Sequence, residues 1–379
     1  MKRIKLFVGL FVFSLLLFPG VKVKAATEVS DEASLRSAVE QGGDITLVSD
    51  ITLTEPLVID KDVSMSCPDS NCSIDNDANE ELIIVNGANV EMSGISLYAG
   101  EYVDYVRQGG KALTVNGGSV KLRNDNRNEI ESGDTAVIVN NGANVSLSYP
   151  MIYSNQNGIE VNDGAVVNIE GGVDGCNLSS IFGVKNAIYL NGGTVNLSGP
   201  IHFGTSDTGY TIYMNKGVNT ATNGDTLVFK DNFVFSYHED TTFSFNIYVN
   251  PNINELRVAD EKDFLILKDN KLNIGYCSSS YAKCSSQSEE DREAVCKDLG
   301  GNYNGTIDSN ELKSCTTVYI NDEKTVIDEE SCKTEEPAQV VTVPSTFLSN
   351  MYYVVIGVVL VIIAVFIIYM IVSKKKAKK

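Results

Sequence analysis

The chain has 379 residues, with 30 Lys+Arg against 49 Asp+Glu and a formal net charge of −19. Such a length predicts two or three domains with a real core and excludes disorder throughout, while the acidic balance excludes nucleic acid as a partner, because phosphate binding needs surplus Lys and Arg. With no Trp and only two His the stock of catalytic bases is thin, and the eight Cys, an even number, suit a disulfide set in an exported chain.

Residues 1–25 read as a secretory signal peptide. Lys2, Arg3 and Lys5 form the basic start, Leu6 to Phe18 the apolar run, and Val23-Lys24-Ala25 the cleavage site. Residues 26–43 are predicted to hold a capping helix. Ser30 is its expected N-cap, Asp31 and Glu32 lie in the first turn, Leu35 and Val39 share one face, and Gly42-Gly43 end it. Such a helix would plug the open end of a coil stack.

Residues 44–270 carry a repeat. Ile45 and Leu47, Ile51 and Leu53, Leu57 and Ile59, and Val63 and Met65 are alternating apolar pairs separated by polar breaks. A longer unit follows, in which an apolar-x-apolar strand ends in Asn, usually with Gly next, and a second such strand comes after it. Its asparagines are Asn86, Asn116, Asn140, Asn162, Asn191 and Asn215, with Asn250 closing a seventh unit before Pro251. The spacings are 30, 24, 22, 29, 24 and 35 residues. One unit cannot bury its own inner face, but stacked units build a continuous core. Asparagine tolerates the left-handed bend between strands and can hydrogen-bond along a stack. The middle residues of the first strands (Ile84, Thr114, Ile138, Glu160, Tyr189, Tyr213 and Tyr248) should form an outward column, and the second strands a polar one of Glu91, Lys121, Ser146, Asn168 and Asn196. Tyr189, Tyr213 and Tyr248 are the candidate ligand-binding residues, since exposed aromatic rows favour binding.

These features together resemble bacterial surface proteins of the right-handed parallel β-helix fold, the pectate-lyase-like architecture. The resemblance covers about residues 28–270. It rests on the helix, on Gly43-Asp44-Ile45-Thr46-Leu47 through Asp50-Ile51-Thr52-Leu53, on Pro56-Leu57-Val58-Ile59, and on the Asn-Gly coils. Where the family often continues into an Asp-Gly-Asn turn, this chain has Cys67-Pro68-Asp69-Ser70-Asn71-Cys72. The fold class expected is therefore all-β, with a β-sandwich as the structural alternative. The resemblance implies either a non-enzymatic adhesin or structural surface component, or a polysaccharide-active lyase or hydrolase. The lyases of the fold use calcium-bound aspartates with an Arg or Lys base, and the hydrolases clustered aspartates with Gly-His-Gly and Arg-x-Lys motifs. Here there is no Gly-His-Gly, and the one Arg-x-Lys lies in the signal. His202 reads as a solvated strand residue, His238 as part of a polar turn, and Glu160, Asp163, Glu170 and Asp174 as a solvated acidic patch. No catalytic residue, metal ligand or cofactor is assigned.

Residues 271–335 are expected to form a small Cys-rich module, because Cys277, Cys284, Cys296, Cys315 and Cys332 crowd there. Cys67 and Cys72 are close enough for a local bridge, and full pairing of the rest requires Cys176, with 15 pairings open to six cysteines. A spacer follows at 336–350. Residues 351–372 carry no charge, and at 1.5 Å per residue they reach about 33 Å, enough for a transmembrane helix. The basic tail 373–379 marks the cytoplasmic side, so the amino end lies outside. Val343-Pro344-Ser345-Thr346-Phe347, the span and the tail together are similar to a sortase sorting signal, which leaves two anchors open, a retained helix or sortase linkage to the cell wall. The expected partners are thus a membrane and, on the outer face, a glycan or a host or neighbour-cell protein.

Overall fold

A computed structural model describes residues 26–274, except 69–71, 105, 124–128, 141, 175–176, 207, 218–223, 231–232, 238–245, 251, 261–264 and 269–270, together with 278–280, 305–308, 317–320 and 323–326. The chain winds into a parallel β-solenoid with three strands per coil. One coil runs through Ile130–Ser132, Val137–Asn140 and Asn144–Ser148, and the next through Met151–Ser154, Asn157–Asn162 and Val166–Glu170. The coil strands pair in parallel with their counterparts one coil away, and among the described residues the three sheets hold 11, 12 and 10 strands, a few antiparallel ones included. Sheet 1 holds the asparagine-ended strands, sheet 2 the strands that follow them, and sheet 3 closes the coil. This parallel pairing rules out the β-sandwich.

Alternation supplies the core. In sheet 1, Ile83, Leu113, Val137, Ile159, Ile188, Ile212 and Ile247 stack in register, and all are fully buried. The shorter early pairs, Ile45 and Leu47 through Val63 and Met65, are buried as well and build the first coil. Fully burying such a side chain contributes roughly 1.5–3 kcal/mol, and it does so only because the coils above and below exclude water. The corners need glycine where coils approach most closely. Gly118 takes φ +76°, and a Cβ there would meet the Ala88 carbonyl oxygen at 2.2 Å.

The helix spans Glu32–Gln41 and buries Leu35, Ala38 and Val39. Its N-cap is Asp31, not Ser30. The Asp31 carboxylate accepts from the Ser34 backbone N–H at 2.8 Å, and the Ser34 hydroxyl receives the Asp31 N–H in return. That reciprocal box draws Asp31 out of the first turn. Nor is 26–43 helix alone, because Thr27–Val29 already forms a strand pairing with Gly43–Leu47 in sheet 2. Glu32 accepts from Arg36 and from the Thr54 backbone N–H, while Arg36 donates to the Glu55 and Pro56 carbonyls, so one charged pair fastens the helix to the first coil.

The coil stack runs past residue 270. Ser278–Ser280, Gly305–Asp308 and Thr317–Ile320, all within the segment expected as a separate module, extend sheets 3, 1 and 2 in parallel. The stack then reverses. Glu323–Val326 pairs antiparallel on sheet 2, and Lys271–Ile274 with Leu265–Lys268 does so on sheet 1. The Asn-Gly signature ends earlier than the pairing because its last coils have lost the glycine corner, not the strands.

Cys67 and Cys72 form a disulfide. Cys176, Cys277, Cys284, Cys296, Cys315 and Cys332 lie outside the described residues, as do His238, the signal 1–25, the spacer 336–350 with its Val343–Phe347 motif, the span 351–372 and the tail 373–379. Among the described residues no helix is long and apolar enough to cross a membrane.

Candidate functional site

Two ladders share sheet 1. At its corner each asparagine Nδ2 donates to the Oδ1 of the asparagine one coil before it. The bonds measure 3.1 Å (Asn116 to Asn86), 3.0 Å (Asn140 to Asn116), 2.8 Å (Asn162 to Asn140), 2.9 Å (Asn191 to Asn162), 3.0 Å (Asn215 to Asn191) and 3.1 Å (Asn250 to Asn215). All run in one direction, so their amide dipoles add. Asn250 belongs to the ladder although no glycine follows it. A shorter ladder on sheet 2 joins Asn144, Asn168 and Asn196.

The outward column is in register through Val58, Ile84, Thr114, Ile138, Glu160, Tyr189, Tyr213 and Tyr248. Its early part is less open than alternation implies, since Thr114 and Ile138 are 5% and 9% exposed. The Thr114 hydroxyl donates to the Glu81 carboxylate at 2.8 Å, which folds a long side chain over that part of the face. Its late part is aromatic. Ring centroids lie 5.3 Å apart for Tyr189 and Tyr213 and 4.7 Å apart for Tyr213 and Tyr248, tilted by 31° in both pairs. Rings side by side in one plane cannot come so close, so each turns a face to its neighbour. What points outward is a row of ring edges and hydroxyls.

A fourth ring joins them. Tyr210 sits 4.7 Å from Tyr248 and 5.8 Å from Tyr213. Strict alternation puts Tyr210 and Tyr213, three residues apart, on opposite faces. The chain instead buries Thr211 and Ile212 in succession as it enters the strand, and both tyrosines face out. The only signal was a second aromatic at the strand entry, too common to single out. Burial pushes the Tyr189 and Tyr213 hydroxyls above the ordinary tyrosine range. Glu160 next raises Tyr189, and Tyr248 next raises Tyr213, so both stay protonated donors.

The acidic patch is largely engaged. Glu160 accepts from Asn157 and Asn162, Asp163 pairs with Lys216, and Glu170 accepts from Ser148. His202 is half-buried, with its ring edge-on to Phe182 at 5.1 Å. Among the described residues no group of three His, Cys, Asp or Glu could hold a metal ion.

Asp225 was not legible in the sequence. It is 1% exposed, and its two oxygens accept from the Gly192 and Lys216 backbone N–H groups at 2.5 and 2.6 Å, tying together corners of successive coils. Burial outweighs those donors and pushes its carboxyl up to about 7. Nothing separates an aspartate in a polar loop from a buried one until the next coil is in place.

No protein-family model and no curated protein matches the chain.

Proposed function

We propose that this chain is a non-enzymatic bacterial surface protein, a right-handed β-helix of the pectate-lyase-like type, that binds a glycan or a host or neighbour-cell protein along its lateral face. The observation that carries this reading is the cluster of Tyr189, Tyr210, Tyr213 and Tyr248. Four aromatic side chains on one outer face exceed what a solvated strand surface needs, and tyrosine combines contact area with a hydroxyl at low entropic cost. A ligand lying along the stack would meet four hydroxyls over three successive coils, two of them from the strand of Tyr210 and Tyr213. The signal 1–25 places the coil stack outside the cell. The span 351–372 with its lysines holds it to the membrane, or the Val343–Phe347 motif hands it to a sortase. The helix Glu32–Gln41 serves as the cap of the outer end.

The test uses the full chain in detergent micelles against a glycan array and a panel of matrix proteins. Replacing Tyr189, Tyr213 and Tyr248 together by Ser should leave the β-sheet circular dichroism in place and abolish the strongest interaction found. Undiminished binding by the triple variant overturns the reading.

A further inference from the structure

A second site lies on sheet 3, away from the tyrosines. The hairpin of Glu101–Val103 and Val106–Gln108 stands beside the strands Ile130–Ser132, Met151–Ser154 and Asn177–Gly183, and a cleft of about 380 Å³ opens between them. Arg107 pins the hairpin. Its Nη1 donates to the Gly100 carbonyl at 2.8 Å, its Nε lies 3.8 Å from Glu131, and the guanidinium covers the Tyr98 ring at 4.9 Å and the Tyr102 ring at 5.6 Å. Asn155 donates to the Arg107 carbonyl at 2.5 Å. The wall is therefore built, and the arginine's charge is already spent within it.

The cleft gathers two unlike properties. Six large apolar side chains are exposed among the described residues, and two of them, Val106 and Val184, line the cleft at 47% and 49% exposure. A third, Tyr102, the cross-strand partner of Arg107, is exposed on the same hairpin outside the lining. The ring of Phe182, stacked on Tyr153 at 5.4 Å, also lines it. Around this apolar ground acidic side chains outnumber basic ones. The hairpin carries exposed Glu101 and Asp104, and the facing strand carries Glu131 with Glu129 beside it, against Arg107, which is engaged with Glu131, and the exposed Lys185 next to Val184. Exposed apolar surface with an excess of acid around it marks a contact for a basic segment.

We propose that this cleft docks a partner protein, which lays an apolar anchor side chain against Val106 and Val184 from a segment flanked by Lys or Arg. The apolar floor supplies the anchor site and the acidic rim selects the flanks. This site is independent of the tyrosine face, so each can fail without the other.

Fluorescence anisotropy on the full chain in micelles tests it, with three labelled peptides: Lys-Lys-Phe-Lys-Lys, Glu-Glu-Phe-Glu-Glu and Lys-Lys-Gly-Lys-Lys. The first should bind at least about tenfold more tightly than the other two, and added salt should weaken it. Val106→Ser with Val184→Ser, both half-exposed and so harmless to folding, should weaken it about tenfold. The Tyr189, Tyr213 and Tyr248 triple variant should bind it unchanged. Equal binding of the acidic or glycine peptide, undiminished binding by the valine variant, or displacement by a neutral disaccharide such as lactose overturns the proposal.

Discussion

At the scale of single residues the molecule depends on polar groups that find their partners only one coil away. Asn162 is the clearest case, donating to Asn140 and accepting from Asn191. Asn162→Leu removes both ladder bonds, together with the one it donates to Glu160, and strands two partly buried amide groups. It should lower the unfolding free energy by about 2 kcal/mol in urea titrations. Asn86→Ala, at the ladder's end and losing a single bond, should cost about half of that. Asp225 gives a pH dependence. Its folded pKa of about 7 lies above the ordinary aspartate value of 3.8, so its stabilising contribution is fully present below pH 3.8 and is lost as pH rises through about 7. The shift amounts to about 4 kcal/mol. Asp225→Asn should flatten the fall in stability between those two pH values, and an unchanged slope would show that the carboxyl does not hold its proton. Of these residues the ladder asparagines were legible, because each closes a repeated strand, whereas Asp225 and Tyr210 act through neighbours that no local pattern identifies.

At the scale of elements the strands were readable and their ends were not. Two-residue alternation settles which side chains enter the core, since Val137 and Val139 have nowhere else to go once stacking begins. The helix was legible from Leu35, Val39 and the glycines after it, but its start moved by one residue because Ser34 bonds back to Asp31. The apolar face of that helix, Leu35, Ala38 and Val39, is buried. Leu35→Ala should therefore cost about 2–5 kcal/mol, the price of a core cavity, in thermal and urea unfolding, while leaving the tyrosine face intact. The hairpin at Glu101–Gln108 escaped notice because it interrupts the repeat between two regular units and is held by Arg107, whose contacts come from four different segments.

At the scale of the whole molecule, stability is a sum over coils and their contacts with neighbours. Removal of residues 141–162 joins Asn140 to Asp163, deletes one full coil and rejoins equivalent corners. That variant should fold with parallel-sheet circular dichroism and reduced stability. Removal of 141–151 instead puts a strand end where a corner belongs and should give an unfolded or aggregating chain. If the two deletions behave alike, the repeat is not the folding unit. Charge also divides by region. Ten of the 30 basic residues lie in 1–25 and 373–379, where no acid occurs, so the rest of the chain carries 20 basic against 49 acidic residues. That part is strongly acidic, in keeping with the basic partner proposed for the sheet 3 cleft.

The sequence by itself determined the solenoid, its inward columns and the corner asparagines, because a repeat imposes the same local choice on every coil and the choices agree. Only the tertiary structure decided the direction of the amide ladder, the tilted packing of the tyrosine rings, the buried Asp225, the cleft behind Arg107 and the antiparallel end of the stack. Each of these joins residues from different coils at spacings that vary with corner length, and sequence distance carries no measure of that separation in space.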